Sequence, residues 1–319
     1  MTERLEPVQA GALARPAIAA ETVRPRHRVS IPLGKVIMYL IVIVAAIAAA
    51  LPFFWMISTS LMTLGETQIR RWLPASPQFQ NYVDAWSQSQ FNIFFINSCI
   101  ITGVTIAGVL VVSVLSAYAF ARIRFRGRNI VFTLLLLTLM IPDALTIVPN
   151  YMTVSGSVFP LPRLETEFPF LSWQLGNSWL NQLPALTVPF MGSVFVIFLL
   201  RQFFAQIPDE LWDAARIDGA GHFRFLLQIV LPMSRAPLLT VTLLTFIGAW
   251  NAFLWPLIVT NDNTWRPISV GLYRFVDEAG TRYHLLMAGA LITIAPVLLL
   301  YFITQKTFTE GIATTGLKG

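Results

Sequence analysis

One segment sets charged, small and turn-forming residues at spacings that suit docking rather than bond-making chemistry. It reads Gln206-Ile207-Pro208-Asp209-Glu210-Leu211-Trp212-Asp213-Ala214-Ala215-Arg216-Ile217-Asp218-Gly219-Ala220-Gly221. Pro208 followed by Asp209 and Glu210 signals a helix start, because acids favour the positive end of the helix dipole. Gly219 and Gly221 signal its stop. The interval holds about three turns at 3.6 residues per turn. Leu211, Ala214, Ala215 and Ile217 put small and apolar contacts between the charges. A second short amphipathic stretch, Phe223 to Val230, runs into Leu231-Pro232. Two short helices lying between long apolar runs need something to pack on.

Other residues have chemistry to weigh. Asp143 follows Pro142 inside an apolar run, and an acid within a bilayer marks a functional position by default. It has two readings: it bonds solute hydroxyls or gates a pore, or it sits near the outer interface where Pro142 and Pro149 break the helix. Trp250, Asn251 and Trp255 also have two. Aromatic faces suit the apolar face of a sugar ring and Asn251 suits its hydroxyls; alternatively the group packs subunits together. His222 and His284 lack metal-ligand spacing with another His or Cys, so no metal is expected. No nucleophile and base are tied together, and no Gly-x-x-x-x-Gly-Lys-Ser/Thr loop is present. Gly34-Lys35 is followed by Val36. The chain is therefore expected to be no enzyme, with no cofactor of its own. Cys99 is the single cysteine; it has no internal disulfide partner and is expected to be a small packing residue.

The elements that must position these residues follow from charge. Only 12% of the 319 residues are charged, against about 25% in soluble domains. No charge lies between Lys35 and Glu66, Asp84 and Arg122, Glu167 and Arg201, Arg235 and Asp262, or Arg282 and Lys306. The gap from Arg128 to Arg163 holds only Asp143. A bilayer-spanning helix needs about 20 apolar residues, so each gap accommodates one crossing. The spacing predicts six helices, roughly at 36–58, 94–121, 129–152, 183–204, 236–258 and 285–304. Pro232, Pro237, Pro256 and Pro296 are expected to kink or end them.

Sixteen of the 22 basic residues fall on one side when the N-terminus is placed inside. Basic loops face the cytoplasm, so both termini are expected there. The net charge of +6 then follows from topology and anionic lipid, and no nucleic acid is implied. The organisation expected is an N-terminal arm over 1–32, a first helix and outside loop over 33–93, a five-helix core over 94–305 with a cytoplasmic loop at 205–235, and a cytoplasmic tail over 306–319. The arm has basic residues but no apolar core, so it is expected to be disordered rather than a cleaved signal. In the first outside loop, Trp72 and Trp86 suit interfacial anchoring. The second, about 153–182, is apolar enough to pack on a partner or to cap its own helices.

The loop also carries a family pattern. Asp213, Ala214-Ala215, Gly219, Ile229 and Leu231-Pro232 stand at the spacing that marks permeases of bacterial binding-protein-dependent ABC importers, with Asp213 where that family has Glu. Further stretches resemble the carbohydrate branch, the maltose-type inner permease. They are Ala117-Tyr118-Ala119-Phe120-Ala121-Arg122 with Phe125-Arg126-Gly127-Arg128, Phe198-Leu199-Leu200-Arg201-Gln202-Phe203-Phe204, Trp250-Asn251-Ala252-Phe253-Leu254-Trp255-Pro256-Leu257, and the terminal Gly316-Leu317-Lys318-Gly319. The resemblance covers about 36–319. It implies an all-α, six-helix type-1 ABC importer permease fold in a bacterial cell membrane. It further implies a second permease completing the pathway, an ABC ATPase dimer using ATP and Mg, and an extracytoplasmic binding protein delivering a sugar. In this resemblance Asp213, Ala214, Ala215, Asp218, Gly219, Ile229, Leu231 and Pro232 form the ATPase-coupling loop, and Gly316, Leu317, Lys318 and Gly319 reach the ATPase. The same machinery could serve another solute, such as glycerol phosphate or a peptide. An ion-coupled secondary transporter would instead show internal symmetry and paired intramembrane acids, where this chain has the single Asp143.

Overall fold

Backbone in lipid must satisfy its N–H and C=O groups within its own segment, so uncharged runs become helices. A computed structural model describes residues 33–69, 71–88, 90–156, 178–276 and 280–315. The arm at 1–32, most of the second outside loop and the Gly316–Gly319 tail lie outside the described residues. Every regular element among the described residues is helical. The chain divides into two units, Met1–Leu51 and Pro52–Gly319. The described part of the first is the start of one long helix, α1 (Leu33–Ser60).

Two short helices, α2 (Leu64–Gln68) and α3 (Gln80–Gln88), precede the long α4 (Phe91–Arg122). Then come α5 (Arg128–Thr138), α6 (Asp143–Val154), α7 (Leu183–Thr187), α8 (Val194–Gln206), α9 (Asp209–Ile217) and α10 (His222–Phe225). A wide turn of helix over Leu226–Val230 leads to α11 (Leu231–Met233), α12 (Arg235–Trp250), α13 (Leu254–Val259), α14 (Ile268–Leu272) and α15 (Tyr283–Thr315).

Among the described residues three helices are long and apolar enough to cross a membrane unaided, and three bent pairs bring the number to as many as six. The unbroken ones match the predicted first, second and sixth spans. The other three depart from prediction because the chain breaks inside them. The predicted 129–152 helix bends by 100° between α5 and α6. Pro142 has no N–H to donate and disfavours helical backbone in the residue before it. The predicted 183–204 helix bends by 44°, and α8 restarts where Ser193 Oγ accepts the Val196 N–H at 3.4 Å. The predicted 236–258 helix stops at Trp250 and resumes as α13. Asn251 therefore lies in the break, where its side-chain amide donates back to the Ile247 carbonyl at 2.9 Å.

Within the second unit α4 packs against α8 and α12. Val109, Val114, Ala117 and Tyr118 of α4 meet Val196, Leu200 and Phe204 of α8 in one buried cluster. Lipid tails are as apolar as these side chains, so association rests on close packing. Gly271 shows this: a Cβ there would stand 2.5 Å from Phe94. Polar staples fix the loops at the other end of α4. Asn97 donates to the carbonyls of Thr264 at 2.9 Å and Arg266 at 3.0 Å, and Ser98 Oγ accepts the Ile268 N–H at 2.8 Å. Cys99, expected to be a packing residue, is instead exposed on the surface of α4.

Candidate functional site

Helix α9 begins with Pro208 in its cap and Asp209 as its first residue, as the acids predict. It ends in a left-handed turn. Gly219 has φ +75°, its N–H meets the Arg216 carbonyl at 3.0 Å, and the Ala220 N–H meets the Ala215 carbonyl at 2.8 Å. This pair of bonds satisfies carbonyls that the helix end would otherwise leave open. The chain then re-enters helix at His222, with Gly221 in extended conformation at its cap.

The two small residues of the loop face opposite ways. Ala215 is buried against the chain's own core with Tyr118, Phe204, Phe225 and Val230. Ala214 is exposed, and the Ile217 side chain is 88% exposed. The close approach that a small residue permits is thus used within the chain at Ala215, while Ala214 and Ile217 remain on the surface. Ile229 and Leu231 pack on the same internal cluster as Ala215. Asp213, Asp218 and Pro232 are exposed. Among the described residues neither carboxylate has a hydrogen-bonding or ionic partner.

Aromatic and cationic side chains hold the loop in place. The Trp212 and His222 rings stack at 4.4 Å, and Phe225 meets Trp212 edge-on at 5.0 Å. Tyr118 Oη and His222 Nδ1 are 2.8 Å apart. Arg122 donates to the Phe204 carbonyl at 3.0 Å, to Asp209 Oδ1 at 2.5 Å, and to the Ile207 carbonyl. Sequence reasoning missed this cluster: Tyr118 and Arg122 lie about 90 residues before the loop they hold. The only signal is their i, i+4 spacing at the end of an apolar run.

A second feature lies among α4, α8 and α12. It is a cavity of about 360 Å³ with hydroxyls of Ser98, Thr105, Ser193 and Thr245 and rings of Phe190 and Trp255 in its wall; no lining residue is charged. Thr105 Oγ1 is buried and has no hydrogen-bond partner among the described residues. Trp255 donates its indole N–H to the Ala185 carbonyl at 2.8 Å. Of the residues considered for a solute pathway, Trp255 alone lines this cavity. Trp250 is 2% exposed, stacks on Phe246 and donates to the Thr293 carbonyl at 2.9 Å. Its packing lies within the chain. Asp143 opens α6 and is exposed away from the cavity lining. Among the described residues no three His, Cys, Asp or Glu converge.

Helices long and apolar enough to cross a membrane, a short helix–turn–helix outside those spans and an internal cavity are parts that a membrane transport component has. Residues 109–312 match the family of binding-protein-dependent transport system inner membrane components, and the chain belongs to that family. It is similar to the sn-glycerol-3-phosphate transport system permease protein UgpE of Brucella abortus (strain 2308), at 33% identity over 297 residues, covering 89% of this chain and 98% of the relative. UgpE of Agrobacterium fabrum is 32% identical over 296 residues, with the same coverage of 89% and 98%. Among solved structures, a bacterial ABC transporter involved in the import of the acidic polysaccharide alginate superposes with a TM-score of 0.73 at 22% identity, covering 89% of this chain and 99% of that one. The protein is thus an ABC importer permease, a transport subunit rather than an enzyme.

Proposed function

We propose that the chain forms one half of a translocation pathway, with a second permease as the other half, and that an ATPase docks on α9. Ile217 carries the docking reading. An apolar side chain 88% exposed, on a helix outside the candidate spans, calls for a partner surface. Phe223, 67% exposed, extends the apolar patch onto α10, and Gly219 sets the angle between the two helices. The basic bias of the segments on this side supports a cytoplasmic position for the loop, six crossings and both termini inside. Lys318 and the other residues of the tail complete the ATPase contact in this reading. The binding-protein-dependent family supports delivery by an extracytoplasmic protein. A structural neighbour is described in complex with an alginate pentasaccharide-bound periplasmic protein.

The solute in this reading is a neutral sugar or polyol. The cavity wall is mainly apolar with a few hydroxyl-bearing residues and aromatic rings, and among the described residues no cation lines it to match a phosphate. The second reading, glycerol phosphate, is favoured by what the relatives at 32–33% identity are named for. Uptake by the reconstituted transporter separates them. Vesicles holding both permeases, the ATPase and the binding protein are given labelled maltose or labelled sn-glycerol 3-phosphate. ATP-dependent accumulation of the phosphate ester alone would overturn the neutral-solute reading. The docking reading is tested by an Ile217→Cys disulfide to the ATPase; an assembled complex that never crosslinks there refutes it.

A further inference from the structure

We propose that Tyr118 and Arg122 are positioning residues that lock the docking helix to α4, so that α4 carries the movement of the loop to the cavity. The inference rests on the docking reading of α9. The two residues stand one turn apart on the same face of α4. Each holds a different part of the loop. Arg122 closes the end of α8 and the start of α9 together, through the carbonyls of Phe204 and Ile207 and the carboxylate of Asp209. Tyr118 holds α10 through His222, and the His222 ring lies flat on Trp212 of α9. Both helices of the loop are therefore tied to one helical rod.

The contacts differ in strength. The Arg122 side chain is 9% exposed and Asp209 is 80% exposed. Water screens the ionic contact on the Asp209 side. The two carbonyl contacts involve a buried guanidinium and acceptors left open at a helix end. The fork geometry therefore matters more than the charge. A lysine presents a point charge and cannot reproduce it.

The same rod reaches the cavity. Ser98, Ile101, Thr105 and Val109 of α4 line it, and Thr105 lies roughly 25 Å along the axis from Arg122 at a rise of about 1.5 Å per residue. A helix without a break transmits displacement over that length, whereas a bent pair such as α5 with α6 yields at its bend. Among the helices that line the cavity, α4 is the one whose span is unbroken.

The native Cys99 supplies the test. It is the only cysteine of this chain, it is exposed, and it lies on α4 beside Ser98, in the stretch that lines the cavity and about 34 Å along the axis from Arg122 at a rise of about 1.5 Å per residue. A bimane fluorophore is attached there in the purified transporter assembled with its second permease and ATPase. ATP with vanadate should shift the emission of the wild-type complex. The shift should be lost in Arg122→Gln, in Arg122→Lys and in Tyr118→Phe while ATP is still hydrolysed. Tyr118→Phe removes one oxygen atom and carries the test if the arginine variants do not assemble. A His222→Phe exchange should add nothing to Tyr118→Phe, since both delete one contact. Retention of the shift in Tyr118→Phe or Arg122→Gln overturns the proposal, as does a wild-type complex with no shift. Failure of the docking reading shows separately, as an absent crosslink from Ile217→Cys in an otherwise native complex.

Discussion

Gly219 offers the sharpest perturbation of the loop. Its φ of +75° lies where L-residues are disfavoured, and a Cβ built there meets nothing within 4 Å. The cost of a side chain is thus conformational and not steric. A β-branched residue in this region is penalised by roughly 1–2 kcal/mol. That lowers the share of the bent loop by a factor of about 5–30 relative to straightened alternatives. Asparagine tolerates the same backbone far better. Gly219→Val should therefore cut ATP-driven uptake several-fold at equal expression, with Gly219→Asn close to wild type. The assay compares solute moved per ATP hydrolysed for the three proteins in vesicles. Equal ratios for valine and glycine would refute the argument, because no other contact at this position would remain to explain the residue.

Other outcomes follow from the packing. Trp250→Ala should destabilise the detergent-solubilised protein by about 3–5 kcal/mol, the usual cost of removing a buried tryptophan, as seen in a thermal unfolding assay. Ala215→Leu overfills a site facing Tyr118 and Phe204 and should cost about 1–3 kcal/mol, whereas Ala214→Leu should leave unfolding unchanged. The Glu66 carboxylate accepts N–H bonds from Thr63 at 2.9 Å and Ala75 at 2.7 Å. Hydrogen bonds from the Thr63 and Ala75 backbone hold its pKa below the usual carboxylate range, outweighing desolvation. Its folded-state pKa is depressed, so its contribution to the loop is present above the ordinary value and lost as pH falls through the lowered one. The protection of the Ala75 amide, taken relative to its intrinsic exchange rate, should fall as pH drops across that window in the wild type. A protection factor at Ala75 that does not change with pH would show that the carboxylate plays no such part.

Long uncharged runs were readable because lipid imposes one requirement, satisfied backbone, on every crossing residue. The break at Pro142 was one of the two readings open for Asp143, but those at Ser193 and Asn251 were not readable, because a bilayer tolerates broken helices where neighbouring helices re-satisfy the freed groups. Pro142 and Pro149 look alike in the sequence. Pro149 sits inside α6, while Pro142 ends the preceding turn. The loop was legible at Asp209 and Gly219, where local chemistry dictates start and stop. Which alanine faces inward was hidden, since Ala214 and Ala215 are adjacent and their difference depends on Tyr118 and Phe204. The cavity was hidden for the same reason: Thr105, Ser193 and Thr245 come from three helices and share no motif.

Thr105 decides whether that cavity serves a solute. Thr105 is 4% exposed and its hydroxyl has no hydrogen-bond partner among the described residues, and a buried hydroxyl left unpaired costs about 1–3 kcal/mol. Nothing in the packing alone repays that cost. Thr105→Val keeps the shape and removes the hydroxyl, so the folded protein should be as stable or more stable. If the hydroxyl bonds a passing solute, the substitution also removes about 0.5–1.5 kcal/mol of interaction. At about 1.4 kcal/mol per tenfold, uptake efficiency of maltose or sn-glycerol 3-phosphate, whichever accumulates, should fall about twofold to tenfold. Stability and transport then move in opposite directions. A purely structural hydroxyl predicts the reverse pairing, with transport unchanged or improved alongside stability, and that result would remove the cavity from the pathway.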